Sequence, residues 1–188
     1  MKKLLLACLL VFSMTQANAS IEFELGDAGD NLITAQTLST GTSSIVGRIN
    51  GDSDVDLFRF GWSGGIYGAF TVTSADPMLY LFDSLGQELA FNDDHGSFLA
   101  NSGDSLFVLP ELASGDYYLA ITSYENDALY TDGVLMGWAG FSDEGSYDYT
   151  INIIGSTTVS PVPEPSTLLL FGAGLGFFAL RRKKVIVT

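Results

Sequence analysis

The sequence has very little cysteine, histidine or positive charge, and no long hydrophobic run. Its 188 residues include one Cys and one His, with 8 basic side chains against 22 acidic ones. One Cys and one His do not make a zinc site, which takes four ligands from Cys, His or acids. An acidic chain repels phosphate backbones, which excludes nucleic acid as a partner. The longest apolar run covers residues 168–180 and is shorter than the ~20 residues that span a bilayer core.

The few basic residues are concentrated at the two ends of the chain. Six of the eight lie at positions 2–3 and 181–184, and only Arg48 and Arg59 lie between them. Residues 20–160 hold 21 of the acidic side chains and have a formal charge of −19. Acids this crowded repel one another, so bound cations or a cation-rich setting are expected. The same region is rich in Phe, Tyr, Leu and Ile, which predicts a folded domain.

The N-terminus has the three parts of a secretory signal peptide. A basic start is followed by the apolar residues 4–14 and then by a small-x-small cleavage site at Ala17 and Ala19. This order predicts a signal peptide over residues 1–19 that signal peptidase removes. Cys8 leaves with it, so the mature chain has no thiol for a disulfide or for catalysis.

The C-terminus ends in a second targeting segment. The peptide Val-Pro-Glu-Pro-Ser-Thr at residues 162–167 precedes the apolar run, and a basic cluster follows that run at once. The processing residues are Pro163, Glu164, Pro165, Arg181 and Arg182. This order of features resembles the PEP-CTERM sorting signal of Gram-negative bacteria. The resemblance implies that exosortase, a transpeptidase-like enzyme of the inner membrane, recognises the tail, cuts near Pro-Glu-Pro and releases the body outward.

Two destinations follow from this tail. The companion of PEP-CTERM sorting is usually a locus for extracellular polysaccharide, which implies a cell-surface or matrix protein that is anchored in the inner membrane only transiently. The alternative is a plain C-terminal membrane anchor that is not processed, since the basic cluster is a strong positive-inside stop. Both place the body of the protein outside the inner membrane.

Period-2 alternation of apolar and polar residues predicts an all-β domain. Residues 147–153 alternate clearly, and residues 117–122 show the same pattern. Residues 78–82 and 88–91 flank Asp83-Ser84-Leu85-Gly86, which has the composition of a tight hairpin turn. About eight short strands are expected, in a single antiparallel β-sandwich or jelly roll.

The predicted organisation has four parts. They are the signal peptide at 1–19, the β-sandwich domain at 20–155, a Ser/Thr/Pro linker with the Pro-Glu-Pro motif at 156–167, and a transmembrane or sorting segment, a short apolar helix with a basic tail, at 168–188. The linker composition is typical of an extended tether.

A second resemblance covers roughly residues 25–155. The segments that carry it, in order, are Asp27-Ala28-Gly29-Asp30 with Thr34-Ala35-Gln36, then Gly51-Asp52-Ser53-Asp54-Val55-Asp56-Leu57-Phe58-Arg59-Phe60, Leu79-Tyr80-Leu81-Phe82-Asp83, Gly115-Asp116-Tyr117-Tyr118-Leu119 and Tyr149-Thr150-Ile151. Together they resemble the bacterial pre-peptidase C-terminal (PPC) domain, a β-sandwich of secreted proteins. They are also similar to a PPC-like family that carries PEP-CTERM tails.

The acidic residues Asp52, Asp54 and Asp56 are candidate metal ligands. Crowded carboxylate oxygens suit Ca²⁺, which takes six to eight oxygen ligands with relaxed geometry. An EF-hand is excluded, because Leu57 stands where that loop needs Gly. Asp56 shares strand parity with the apolar residue Phe58, which predicts that it points inward and needs a partner.

The PPC resemblance adds ligands from the segment that precedes the first strand. It implies Asp30, Asn31, Glu24 and Glu22, although the usual Glu-x-Asn-Asp run of that segment is absent. The alternative is that Asp52 and Asp54 are solvated turn residues, while Asp56 pairs with Arg48 or accepts backbone amides. The sequence leaves both interpretations open.

No arrangement in the sequence predicts catalysis. His95 lies near Ser97 in sequence only, and no nucleophile elbow or glycine-rich phosphate loop is present. Trp62 and Trp138 could stack on sugars or pack in the core. We therefore expect a non-enzymatic exported protein associated with extracellular polysaccharide. The alternative function is a calcium-dependent module that binds a glycan or a protein.

Overall fold

The structure is a computed structural model that describes residues 19–94 and 103–155. Every regular element in these residues is a β-strand: β1 (Ser20–Phe23), β2 (Gln36–Thr37), β3 (Thr42–Asn50), β4 (Val55–Thr73), β5 (Pro77–Asp83), β6 (Glu88–Asn92), β7 (Leu106–Ser123), β8 (Ala128–Thr131), β9 (Val134–Trp138) and β10 (Ser146–Ile154). The all-β prediction is confirmed. The predicted signal peptide, linker and C-terminal helix lie outside the described residues, within which no helix is long and apolar enough to cross a membrane.

Eight strands form one mixed sheet. Its order is β1-β3-β10-β4-β7-β5-β6, with β2 beside β4, and β8 and β9 form a separate two-stranded sheet. Most pairings are antiparallel, as predicted, but β1 pairs with β3 and β2 pairs with β4 in parallel. The chain divides into two compact units, Met1–Thr158 and Val159–Thr188, and all described residues belong to the first.

The two longest strands, β4 and β7, build both layers of the domain. The first half of β4 pairs with the second half of β7, and the second half of β4 pairs with the first half of β7. The second half of β4 also pairs with β10 on its other side. The register shifts between Gly65 and Tyr67, at the point where both strands pass from one layer to the other. Alternation alone does not reveal the continuity of these strands, because the break in register interrupts the pattern.

The core lies between the two layers. Phe58 of β4 and Leu119 of β7 pack in the same buried cluster as Ile45 of β3 and Ile151 of β10. The sheet therefore folds over on itself and buries one face of each layer, as in a sandwich. A second cluster on the opposite face of β4 includes Leu57 and is covered by the β8–β9 hairpin.

The turns follow the expected chemistry. Gly86 has a φ of +83°, and its amide donates to the carbonyl of Asp83 at 3.0 Å, so the predicted β5–β6 hairpin is confirmed. The β8–β9 hairpin was not among the predicted strands. Asp132 and Gly133 both have positive φ there, which is typical of a two-residue type I′ turn.

Candidate metal centre

Acidic side chains from two chain segments converge at one corner of the domain. Oxygen atoms of Asp27, Asp54 and Asp56 all lie within 4.8 Å of one another. Asp27 follows β1, whereas Asp54 and Asp56 lie at the entrance to β4. The three side chains pass from exposed through half-buried to fully buried. The three carboxylates therefore extend from the solvent to the edge of the core. We call these three residues and Glu24 the acid cluster.

Asp56 forms the floor of the acid cluster. Its relative exposure is 0%, and it points to the core face, as strand parity predicted. The hydroxyl of Tyr149 donates to Oδ2 at 2.7 Å, whereas Oδ1 is buried and receives no hydrogen bond of normal geometry from the described residues. The backbone N–H of Ala28 also lies close to this carboxylate. A buried carboxylate oxygen without a donor is costly unless a proton or a cation compensates it.

Glu24 approaches Asp56 from the N-terminal segment. Its Oε2 accepts the backbone N–H of Arg48 at 2.8 Å, and its Oε1 is buried without a donor. Gly47 permits this approach, because a Cβ at that position would lie 2.8 Å from Oε2 of Glu24 and would also collide with Tyr149. The corner therefore holds two buried carboxylate oxygens that receive no hydrogen bond of normal geometry, and the Glu24 and Asp56 carboxyl groups lie close enough to share a proton.

No basic side chain of the described residues neutralises the acid cluster. Only Arg48 and Arg59 are basic in residues 19–94 and 103–155. The Arg48 guanidinium pairs with Asp148 at 2.6 Å, and that of Arg59 pairs with Asp116 at 2.8 Å. Asp56 is thus not paired with Arg48. The negative charge of the acid cluster must be compensated by protons or by a bound cation.

The electrostatics of the acid cluster disfavour full ionisation. Burial raises the pKa of Asp56 to about 8, and the charges of Glu24 and Asp54 add to this shift while the Tyr149 hydrogen bond opposes it. Burial likewise raises the pKa of Glu24. Such a group either keeps a proton at neutral pH or releases it to a cation. Among the described residues the acid cluster offers carboxylate oxygens alone, which fit a hard cation such as Ca²⁺.

Backbone amides hold the outer two carboxylates in place. Asp54 accepts the N–H of Asn50 at 2.5 Å and that of Val55 at 3.0 Å. Asp27 accepts the N–H of Gly29 at 2.8 Å. Each oxygen that accepts one such bond keeps a lone pair for a further ligand. The acid cluster is therefore fixed by local structure before any ion binds.

The remaining predicted ligands have other partners. Asp52 accepts the N–H of Gly145 at 3.0 Å, and Glu22 accepts that of Ser39 at 3.2 Å. Asn31 caps its own turn. Asp30 lines a cavity next to the acid cluster. Of the seven residues that the sequence suggested, the structure brings together Asp54, Asp56 and Glu24.

Asp27 is the member of the acid cluster that was not predicted from the sequence. It belongs to a segment quoted for the PPC resemblance but not to the implied ligands. Its position depends on a long-range contact, since the amide of Leu57 donates to the carbonyl of Gly29 at 3.0 Å. This contact lays the N-terminal segment along β4. A carboxylate three residues after Glu24 was the only local signal.

The other candidate residues do not form a site in the described chain. His95 and Ser97 lie outside the described residues. Trp62 is buried in the core, and Trp138 is partly buried against the second cluster. Asp76 has a pKa raised to about 6 by desolvation and by acidic neighbours, but it belongs to no group of three ligands among the described residues.

Comparison with known proteins identifies the C-terminal tail first. The family profile of the PEP-CTERM protein-sorting motif matches residues 161–183, which confirms the predicted sorting signal. The motif implies exosortase-dependent export with transient anchoring through the tail. No curated protein matches the chain in sequence.

Solved structures are similar to the domain at low identity. The pre-peptidase C-terminal domain of a Bacillus anthracis collagenase has 14% identity and a TM-score of 0.41, and the match covers 74% of this chain and 99% of that one. PliG of Aeromonas hydrophila, a periplasmic inhibitor of g-type lysozyme, has 14% identity and a TM-score of 0.39, with 71% and 97% covered. PliG of Salmonella Typhimurium has 20% identity and a TM-score of 0.38, with 63% and 96% covered.

Proposed function

We propose that this protein is a non-enzymatic surface protein whose β-domain binds and is stabilised by Ca²⁺ at the acid cluster. The observation that carries the proposal is the buried Oδ1 of Asp56, which receives no hydrogen bond of normal geometry and lies among carboxylates that neither of the two described arginines neutralises. A divalent cation would supply the missing positive charge. Asp27, Asp54, Asp56 and Glu24 would hold it.

Calcium is the cation that this set of ligands favours. Carboxylates from loops can adapt to its coordination of six to eight oxygens, whereas Mg²⁺ demands a near-ideal octahedron and keeps several waters. Modules that work outside cells bind Ca²⁺ with dissociation constants of about 10⁻⁴–10⁻³ M. An exported domain can therefore fill such a site only after it leaves the cytoplasm.

The sorting tail defines where the domain would act. After removal of the signal peptide, the PEP-CTERM motif would deliver the chain to exosortase, and the released body would associate with extracellular polysaccharide at the cell surface or in the matrix. Intact-mass analysis of the exported protein tests this route. A mass that ends near Pro163-Glu164-Pro165 is expected, whereas a mass that still includes residues 181–188 would contradict processing.

The domain is proposed to bind rather than to catalyse. The acid cluster has the properties of an ion site, since its deepest carboxylate points into the core and away from solvent. An enzymatic activity of the purified chain that is abolished by His95→Ala would contradict this proposal. Activity that survives His95→Ala would point to a contaminant or to another site.

Thermal melting of the full-length chain in chelator and in millimolar Ca²⁺ tests the ion proposal. At 10 mM free Ca²⁺, which is about 10–100 times such a dissociation constant, linkage predicts about 1.4–2.7 kcal/mol of stabilisation. For a domain of this size the midpoint should rise by about 3–15 °C. An equal rise with Mg²⁺ would indicate general charge screening, and no rise with either ion would contradict the site.

A further inference from the structure

We propose that the cavity beside the acid cluster binds a neutral saccharide, with two adjacent hydroxyl groups coordinated to the bound Ca²⁺. This inference rests on the proposed calcium site. It goes further, because it names the chemical class of the ligand and the wall of the domain that holds it.

The cavity has the size and lining of a small polar ligand site. Its volume is about 510 Å³, within the ~300–1,000 Å³ that is usual for such sites. The polar side chains in its wall are Asp27, Asp30, Thr34, Asn50, Ser53 and Asp54. The rest of the lining is glycine and Val55. The wall therefore offers hydroxyl, amide and carboxylate groups and is more polar than apolar.

The cavity and the acid cluster share two residues. Asp27 and Asp54 belong to the group of three ligands and also line the cavity. Asp56 is fully buried and is not part of the cavity wall. An ion held by all three carboxylates therefore has the buried Asp56 behind it and the cavity in front. Its remaining coordination positions face the cavity.

Coordination chemistry selects the ligand. Three or four carboxylates leave several of the six to eight positions of Ca²⁺ open, and two neighbouring hydroxyls of a sugar can fill two of them by chelation. Thr34, Asn50 and Ser53 line the cavity with groups that hydrogen-bond further hydroxyls.

Charge and polarity exclude the competing classes. Four acids meet at the acid cluster and Asp30 lines the cavity beside them, so the region stays negative around one divalent ion and disfavours acidic sugars and other anions. The mainly polar lining disfavours a purely hydrophobic ligand. A neutral saccharide satisfies both conditions.

The test uses the full-length chain in a sugar-free detergent, observed by saturation-transfer difference NMR. The probes are methyl α-D-mannopyranoside, methyl β-D-galactopyranoside and methyl α-L-fucopyranoside, each in Ca²⁺ and in chelator. We expect a signal from at least one glycoside in Ca²⁺ and its loss in chelator. A signal that is equal in both conditions, or no signal in either, would overturn the proposal.

A variant locates the contact. Ser53 is exposed in the cavity wall and is not a metal ligand, so Ser53→Phe should fill the cavity and abolish the glycoside signal while the calcium-induced rise in melting temperature persists. Ser84→Phe, in the exposed β5–β6 turn, is the matched control and should leave both readouts unchanged. Retention of the glycoside signal in Ser53→Phe would overturn the assignment to this cavity.

A measurement on the wild-type chain separates the two proposals. By linkage, a saccharide that coordinates the ion must raise the apparent affinity for Ca²⁺, so calcium titrations with and without the active glycoside should differ. If Ca²⁺ stabilises the chain but no glycoside changes its affinity, the calcium site stands and the saccharide inference fails. If Ca²⁺ does not bind, both fail.

Discussion

The centre and the N-terminal corner of this domain are held together by opposite means. In the centre, Phe58 and Leu119 are fully buried, and successive residues of β4 and β7 pack into two apolar clusters. In the corner, β1 turns its apolar side chains outward, since Ile21 and Phe23 are both 61% exposed. Its neighbour Glu24 points inward to Asp56.

This difference means that the two regions should respond to different conditions. Burial of apolar surface stabilises the centre at any concentration of Ca²⁺. Strand β1 gains little stability from apolar burial, and its packing against the domain brings the carboxylates of Glu24 and Asp56 close together. The attachment of the corner should therefore depend on protons and cations, whereas the centre should not.

The largest expected effect comes from the apolar centre. Phe58→Ala removes a fully buried ring and should cost about 3–5 kcal/mol of unfolding free energy. Because the change leaves the acid cluster intact, the loss should be the same in chelator and in Ca²⁺. Chemical denaturation under both conditions measures it, and a loss that depends on Ca²⁺ would show that the two regions are not separable.

A smaller effect is expected from Gly47→Ala in the corner. The new Cβ would collide with Tyr149 and with Glu24, which displaces the hydroxyl that hydrogen-bonds Asp56. Overpacking of this kind costs about 1–3 kcal/mol, and the calcium-induced rise in melting temperature should shrink as well. Gly137→Ala is the control, because nothing lies within 4 Å of its Cβ position. Equal behaviour of the two variants would contradict the packing argument.

The pH dependence should have opposite signs without and with Ca²⁺. The pKa of Asp56 is raised from 3.8 to about 8 on folding, so the folded chain holds a proton that the unfolded chain has lost. This contribution to stability is complete below pH 3.8 and is lost as the pH rises through about 8. Ca²⁺ needs the ionised carboxylate, so its stabilising effect should grow from pH 5 to pH 8. Melting curves across this range test both trends, and a calcium effect that shrinks with pH would contradict the site.

The smallest effect is expected at the surface ion pairs. Arg48→Met removes the pair with Asp148, whose side chains are 50% and 80% exposed. Exposed pairs of this kind contribute about 0–1 kcal/mol, and the calcium response should not change because the Arg48 guanidinium does not reach the acid cluster. A large loss of stability, or a changed calcium response, would support the alternative interpretation in which Asp56 pairs with Arg48.

Local patterns predicted the parts of the fold that depend on neighbouring residues. Alternation identified β10 and the inward orientation of Asp56, and turn composition identified the β5–β6 hairpin. The continuity of β4 across Gly65 was missed, because the register shift breaks the alternation there. The β8–β9 hairpin was missed although Asp132-Gly133 is a strong turn signal.

The members of the acid cluster were predicted less completely than the strands, for a physical reason. Asp52 and Asp54 look equivalent in sequence, but the turn before β4 directs Asp52 to the Gly145 amide. Asp27 joins the acid cluster through the contact between Leu57 and Gly29. Neither outcome is encoded in spacing, because both depend on which distant segment packs beside β4.

Calorimetric titration of Ca²⁺ into the wild-type chain and into the Asp56→Asn and Asp52→Asn variants tests whether the acid cluster binds Ca²⁺ through Asp56. The two variants carry the same substitution four residues apart, and an asparagine oxygen can still accept the Tyr149 and Gly145 hydrogen bonds. The account predicts that the wild type and Asp52→Asn bind one Ca²⁺ with similar affinity and that Asp56→Asn loses this binding. Absence of binding to the wild type, or equal binding to all three chains, would contradict it.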